Sequence, residues 1–290
     1  MAKNIGKIQR IAVTANPQLP DSSDVAVEID HFLRKNGYIT LRGLLQDEDL
    51  RESIRAREFD LLIALGGDGT ILRAGHLCGP VNVPILGINM GRFGFLTEIK
   101  QNDWRETLPL LFTNEYWLEK RMMLCADLKR SSEIIGTWEV LNEIVVSRGH
   151  IVRPVHLLAS VDGHYLTTYV ADGLIAATAT GSTAYALAAG GPILPPTLRN
   201  ILLVAVAPHL SVDRTIVLSE GSSVSITIQT DHHAVLSPDG QIPVELQDGD
   251  QVDAYASEHT AQFLRFQDPG YFYRNLTLHM SQHPSIGILR

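Results

Sequence analysis

The stretch Phe59-Asp60-Leu61-Leu62-Ile63-Ala64-Leu65 is apolar except at Asp60 and runs directly into Gly66-Gly67-Asp68-Gly69-Thr70. A strand with no polar face has to be covered on both sides, which is the situation inside the parallel sheet of an α/β layer. The flanking sequence supplies the cover. Ile8 to Thr14 reads as a strand closing on the turn signal Asn16-Pro17. A helix follows with Val25, Ile29, Phe32 and Leu33 on one face and Asn36-Gly37 as its stop. Tyr38 to Leu45 is a second strand, Asp47 to Arg57 a charged helix, and after the glycine run a short helix from Ile71 leads to the strand Val83 to Ile88. Strands alternating with helical patterns predict a doubly wound parallel layer.

The pattern changes after about Glu115. Val155 to Val161 and Tyr165 to Val170 flank Asp162-Gly163, a hairpin signal. Ile201 to Val206, Ser223 to Gln229, Ile242 to Leu246 and Gln251 to Tyr255 continue the β character, with one helix expected from Thr183 to Ala189. The reading is an α/β domain over 1–115 and a β-rich domain over 116–265, with 266–290 left unplaced by pattern alone. At 290 residues two domains are also the natural expectation.

Charge and cysteines narrow the function classes. A net charge of -8 argues against a nucleic-acid partner held by phosphate contacts, but not against a phosphate ligand that a few N–H groups can hold. Cys78 and Cys125 are too few for a disulfide framework and too far apart for a zinc site. The start shows no signal peptide, and the longest apolar run, Ile201 to Ala207, is far too short to span a membrane, so cytoplasm is the default expectation.

Four motifs carry chemistry. In Gly66-Gly67-Asp68-Gly69-Thr70, the glycines let backbone N–H groups come within reach of a phosphate, at the carboxyl end of a buried strand where ligands gather. Asp68 stands there as a carboxylate able to accept a hydroxyl proton; the bland alternative is a tight strand-end turn. Gly87-Ile88-Asn89-Met90-Gly91-Arg92-Phe93-Gly94-Phe95-Leu96 reads as a loop pressed against a ligand or the neighbouring domain, packing being the simpler cause. Asn142-Glu143, heading an apolar strand, offers a donor and acceptors for a ribose, against the alternative of an ordinary polar strand start. The run Asp172 to Tyr185, followed by Gly190-Gly191-Pro192, has no amphipathic period and is expected to pack poorly unless a ligand or another chain lies on it. Its Gly181-Ser182-Thr183 looks like a helix start suited to a pyrophosphate or purine edge, and Tyr185 could stack on a ring. Neither a P-loop nor a Gly-x-Gly-x-x-Gly fingerprint is present. The histidines, His232-His233 included, read as solvated loop residues, and no structural metal site is expected.

Together and in this order, these motifs resemble the NAD kinase family, which makes NADP from NAD, over about Ile8 to Tyr273. Gly-Gly-Asp-Gly-Thr alone is shared with diacylglycerol and sphingoid-lipid kinases; Asn142-Glu143 and the Asp172 to Tyr185 run with Gly190-Gly191-Pro192 are what single out the family. The resemblance implies a Rossmann-like α/β domain and a sandwich-like β domain, the end of the chain returning to the first. It implies Asp68 as the catalytic carboxylate, with the turn Gly66, Gly67, Gly69 and Thr70 at the phosphate donor and Gly69 also against the dinucleotide. Arg73 matches a basic position that meets phosphate, Asn142 and Glu143 a ribose-holding pair, and Arg153 a polar or basic binding position. Asp172, Thr183, Ala184, Tyr185, Ala186, Leu187, Ala188 and Gln241 match nucleotide-binding positions.

The implied reaction moves a phosphoryl group from ATP or polyphosphate, with Mg²⁺, to the 2′-hydroxyl of the adenosine ribose of NAD. Asp68 is read as base or as metal ligand. The implied partners are small nucleotides, with no nucleic acid and no membrane, and the implied assembly is a homodimer or homotetramer with sites near subunit contacts. Two features depart from the family pattern. Pro208-His209-Leu210-Ser211-Val212-Asp213-Arg214-Thr215 shifts its middle and ends on Thr215, and the basic, Trp-containing ending is missing around Asn275 to Met280. A lipid kinase sharing the glycine turn and a non-catalytic dinucleotide sensor are the competing readings. The first lacks a membrane-facing apolar or basic amphipathic surface, and the second has little use for Asp68 beside phosphates.

Overall fold

The computed structural model describes residues 8–91, 94–209, 214–274 and 276. The chain divides into two compact units, one made of the residues up to 120 together with those from 261 onward, the other of 121–260. Both divisions fall inside long strands rather than in linkers. The variable middle of the Pro208 to Thr215 segment, Arg92-Phe93, Asn275 and Met280 lie outside the described residues.

The first unit is built from β1 (Arg10–Ala15), α1 (Ser22–Lys35), β2 (Ile39–Gly43), α2 (Glu48–Arg55), β3 (Leu61–Gly66), α3 (Asp68–Cys78), β4 (Ile85–Asn89), the two-residue β5 (Ile99–Lys100) and the short α4 (Trp104–Thr107). Its strands run parallel in the order β2-β1-β3-β4. β3 is central, paired from Ile11↔Leu61 to Ala15↔Leu65 on one side and from Leu62↔Ile85 to Gly66↔Asn89 on the other. Its residues Leu61 to Leu65 have no exposed surface, as a strand covered on both faces requires. α1 buries Val25, Ala26, Ile29 and Leu33 at helical spacing and stops where the Asn36 side chain donates to the Phe32 carbonyl. Phe32 stacks with Phe112 and meets Trp104 edge-on, which extends the core under α4.

The second unit is all strand but for one short segment. It comprises β6 (Trp117–Arg130, of which the residues from Arg121 on belong here), β7 (Glu133–Val140), β8 (Glu143–Arg148), β9 (Val155–Val161), β10 (His164–Ala171), β11 (Gly173–Ala177), a 3₁₀ turn (Gly181–Thr183), α5 (Tyr185–Ala188), β12 (Asn200–Val206), β13 (Ile216–Ser219), β14 (Ser223–Gln229), β15 (Ala234–Pro238), β16 (Val244–Leu246) and the first part of β17 (Gln251–Arg265). One antiparallel sheet has the order β13-β12-β11-β8-β15-β16, and a second runs β10-β9-β14-β17. Leu174 and Ala176 of β11 share a core with Leu157 and Ala159 of β9 and with Val224 and Ile226 of β14, so the two sheets close on one apolar layer. The last residues of β17 belong to the first unit, where Phe263 pairs with Ile85 of β4.

Four expectations need correction. The helix after β3 starts at Asp68, not Ile71, because Asp68, Gly69 and Thr70 already form its first turn with Gly67 as N-cap. The helix expected over Thr183 to Ala189 is instead a 3₁₀ turn and a single α turn, broken at Ala184 by a non-helical backbone (φ -103°, ψ -128°). β17 extends well past Tyr255, to Arg265. The small-residue run from Asp172 does not need a ligand to pack. Its strand β11 is central, with Leu174 and Ala176 in the inter-sheet core and Ile175 and Ala177 under Ala186 and Leu194 on the other face. No helix among the described residues is long and apolar enough to cross a membrane.

Candidate active site

The glycine turn sits where the parallel sheet delivers it, at the carboxyl end of β3. Asp68 opens α3, and an anion in the first turn of an eleven-residue helix is favoured by the helix dipole. Its carboxylate also accepts two backbone amides, Phe95 N–H at 2.8 Å and Leu96 N–H at 3.0 Å. This gives the Gly87 to Leu96 motif its physical reason: the segment presses on Asp68, and a Cβ on residue 94 would overlap the carboxylate. Gly67 and Gly69 face open space, while Thr70 packs back over Gly66. Arg73 is exposed one turn further on and makes no ion pair or side-chain hydrogen bond with any described residue. Together with Asn16, Gln18, Gln46 and Thr70 it lines a cleft of about 210 Å³.

In the second unit the residues around Asn142-Glu143 are held by Asp239. That carboxylate, at the end of β15, accepts the N–H groups of Leu141 (2.6 Å), Asn142 (2.9 Å) and Glu143 (2.8 Å). Thr178, the residue after β11, grips the same segment, its hydroxyl donating to the Leu141 carbonyl (2.6 Å) and its N–H to the Asn142 carbonyl (2.8 Å). Gly181 then lies against the Asn142 backbone so closely that any Cβ there would overlap the carbonyl. Among the described residues the Asn142 side chain makes no hydrogen bond and the buried Glu143 Oε2 has no partner. Burial, reinforced by the nearby Asp239 carboxylate and opposed by the Tyr185 N–H, pushes the Glu143 carboxyl up to about 8.

Glu143 therefore holds a proton that the unfolded chain has already lost above the ordinary carboxylate range, so stability falls as pH rises toward 8. Replacing Glu143 by Gln is expected to remove much of that fall. Thermal unfolding at pH 5 and pH 9 checks it, and parallel declines in both proteins would refute the assignment.

The other expected residues fall into two places. Thr183, Ala184, Tyr185 and Leu187 are exposed or half-buried beside Glu143's end of β11, Ala188 is exposed, and Ala186 is buried in the apolar layer under α5. Gln241 follows the Asp239-Gly240 turn and is exposed, its N–H bonded to the Pro238 carbonyl. Asp172 is elsewhere: it precedes Gly173, which pairs with Ser147, whereas Ala177 pairs with Glu143. The length of β11, about 17 Å at roughly 3.3 Å per residue, separates them. There Asp172 is paired with Arg148 at 2.9 Å, and Arg153 lies in the loop that leaves that end of β8. His233 lies in a loop as expected but is not fully solvated: it is half-buried, bonds Glu245 at 3.0 Å and packs on His150. Asp239 is the residue that sequence reasoning passed over as anything but part of a turn.

The family model of the ATP-NAD kinase N-terminal domain matches residues 28–116, and that of the ATP-NAD kinase C-terminal domain matches 141–266. An NAD kinase of Chloroflexus aggregans is 39% identical over 269 residues, covering 93% of this chain and 97% of its own. One from Citrifermentans bemidjiense is 36% identical, over 91% and 96%. Among solved structures, yeast NADH kinase complexed with NADH superposes with a TM-score of 0.84 at 25% identity, over 98% of this chain and 91% of its own. An Archaeoglobus fulgidus NAD kinase in complex with ATP gives 0.75 at 27%, over 93% and 98%.

Proposed function

The chain belongs to the NAD kinase family, and we propose that it moves the terminal phosphoryl group of ATP to the 2′-hydroxyl of the adenosine ribose of NAD, with Asp68 taking the hydroxyl proton. The observation that carries the residue assignment is Asp68 itself. It is a carboxylate fixed by two amides at the mouth of a glycine turn, and its oxygens keep lone pairs beyond those amides. As the ribose oxygen bonds to phosphorus, the bond to the ADP oxygen breaks and the hydroxyl proton passes to Asp68. The backbone N–H groups of Gly67 and Gly69, where a side chain would find only open space, and Arg73 beside the cleft receive the donor's phosphates, since this chemistry is mostly positioning and charge stabilisation. In the second unit Asn142 and the unpartnered Glu143 oxygen receive a ribose diol.

A Mg²⁺ ion carried on the donor phosphates needs no protein cage; were the protein to hold it at the turn, Asp68 would be the carboxylate to do so, as the alternative to its role as base. When bound, the ion neutralises charge on the transferred group. The lipid-kinase reading is not favoured, because the C-terminal match covers the region that the glycine turn alone leaves open. The fold is read as a doubly wound, Rossmann-like layer and a sandwich-like β domain, with the chain's end returning to the first. A homodimer or homotetramer, with sites near subunit contacts, gives Asp172 and Arg153 a nucleotide-binding place at their own end of β11.

The deciding experiment is turnover of the purified chain with NAD, ATP and Mg²⁺, read through an NADP-specific dehydrogenase. NADP formation is expected with ATP. Formation with polyphosphate alone would change the donor, and none with either would overturn the proposal.

A further inference from the structure

Leu96, whose N–H is bonded to Asp68, is held from its other side as well. Its carbonyl accepts a hydrogen bond from Arg265 Nη1 at 3.2 Å. Arg265 has no exposed surface and is paired with Glu119, itself 1% exposed, through Nε–Oε2 at 2.9 Å. Nη2 lies 2.8 Å from the same oxygen but off the hydrogen-bonding direction. Tyr271 donates its hydroxyl to Glu119 and lays its ring 5.1 Å from the guanidinium, with Phe263 at the same distance. Two residues beyond Leu96, the Glu98 carboxylate accepts the N–H groups of Phe266 and Gln267. All of these residues belong to the first unit.

A guanidinium and a carboxylate buried together are an expensive way to fill a core, because the desolvation of both ions offsets most of their attraction. Apolar side chains of similar volume fill such space as well or better. What they cannot do is fix a peptide carbonyl in place, and the planar fork of an arginine can.

Building on the assignment of Asp68 as the catalytic carboxylate, we propose that Arg265, with Glu119 as its counter-ion, is a positioning residue for phosphoryl transfer. It fixes the Leu96 carbonyl and, through the backbone of that residue, holds the Phe95 and Leu96 amides where they keep the Asp68 carboxylate in its productive orientation. Small misplacements of a reacting group cost on the order of a hundredfold in rate, so an arginine two bonds removed from the chemistry can govern it.

The test replaces the pair by apolar residues, Glu119→Leu with Arg265→Met, in the full chain. A folded double variant is expected to unfold near the wild-type temperature, to keep KM for NAD within about threefold, and to lose kcat about tenfold or more. A kcat within twofold of wild type overturns the proposal. The same pair is then built on Asp68→Asn. If it acts through Asp68, it lowers the residual rate no further; a full additional loss there places its effect elsewhere and also overturns the proposal. Near-normal turnover of Asp68→Asn alone overturns the Asp68 assignment, an outcome distinct from an inert pair beside an inactive Asp68→Asn. Should the apolar pair not fold, Arg265→Lys carries the test, since it keeps the charge and loses the fork: a drop in kcat with steady KM is expected, and unchanged kcat refutes the clamp.

Discussion

Asp68→Asn is expected to lower turnover at least about a hundredfold, the low end for removal of a general base. Asparagine keeps the size of the side chain and one accepting oxygen. Its amide NH₂ has no proton affinity to offer the ribose hydroxyl, and it faces one of the two amides, Phe95 or Leu96, that the carboxylate now satisfies. The second effect alone leaves a backbone N–H short of a partner, at about 1–3 kcal/mol, so unfolding temperature will fall modestly as well. The two contributions separate in the measurements. Dinucleotide binding, followed by fluorescence titration, should stay within a few-fold of wild type while kcat collapses. Near-normal turnover in a variant that binds NAD would leave Asp68 as a loop anchor and nothing more.

The largest loss of stability is expected at Asp239. Its carboxylate takes three successive N–H groups, those of Leu141, Asn142 and Glu143, and only 8% of the residue is exposed. In Asp239→Ala all three donors lose their acceptor at once. At about 1–3 kcal/mol for each unsatisfied buried donor, and with water recovering part of it, the total is on the order of 3 kcal/mol. For a chain of this size that corresponds to a fall in unfolding temperature on the order of 10 °C. NAD affinity should fall with it, because the same three amides set where Asn142 and Glu143 point. An unfolding temperature within about 2 °C of wild type, with binding intact, would show that the segment is held by Thr178 and Gly181 without help.

What the sequence made legible follows from how local each signal is. The buried strand β3, the helix face of α1 and the Asp162-Gly163 hairpin are written in neighbouring residues, and the hairpin's left-handed backbone (φ 51° and 77°) is the one its residues favour. The β6–β7 hairpin escaped notice because Ser131 and Ser132 occupy the same left-handed region without a glycine or asparagine to announce it. β11 misled for the opposite reason. Small residues without a period suggested an empty face, whereas the face is filled by α5 and the segment after it, which no local pattern could reveal. At the site, Asp68 and Glu143 stood out because their neighbours in sequence are unusual. Asp239 did not, because its partners lie nearly a hundred positions earlier, and only the pairing of β15 with β8 brings them together. Arg265 was silent for the same reason.

The strand that ends at Arg265 also fixes a timetable. During synthesis the glycine turn leaves the ribosome early, together with the parallel strands around it, but β4 still lacks Phe263, and the Leu96 carbonyl still lacks its guanidinium. Residues 121–260 form a contiguous unit and can close on themselves before either arrives. The nascent first unit therefore has to wait, with an open sheet edge, while the second is made. A chain truncated shortly before residue 261 would carry Asp68, Asn142 and Glu143 and still lack both the strand that pairs with β4 and the guanidinium that holds the Leu96 carbonyl.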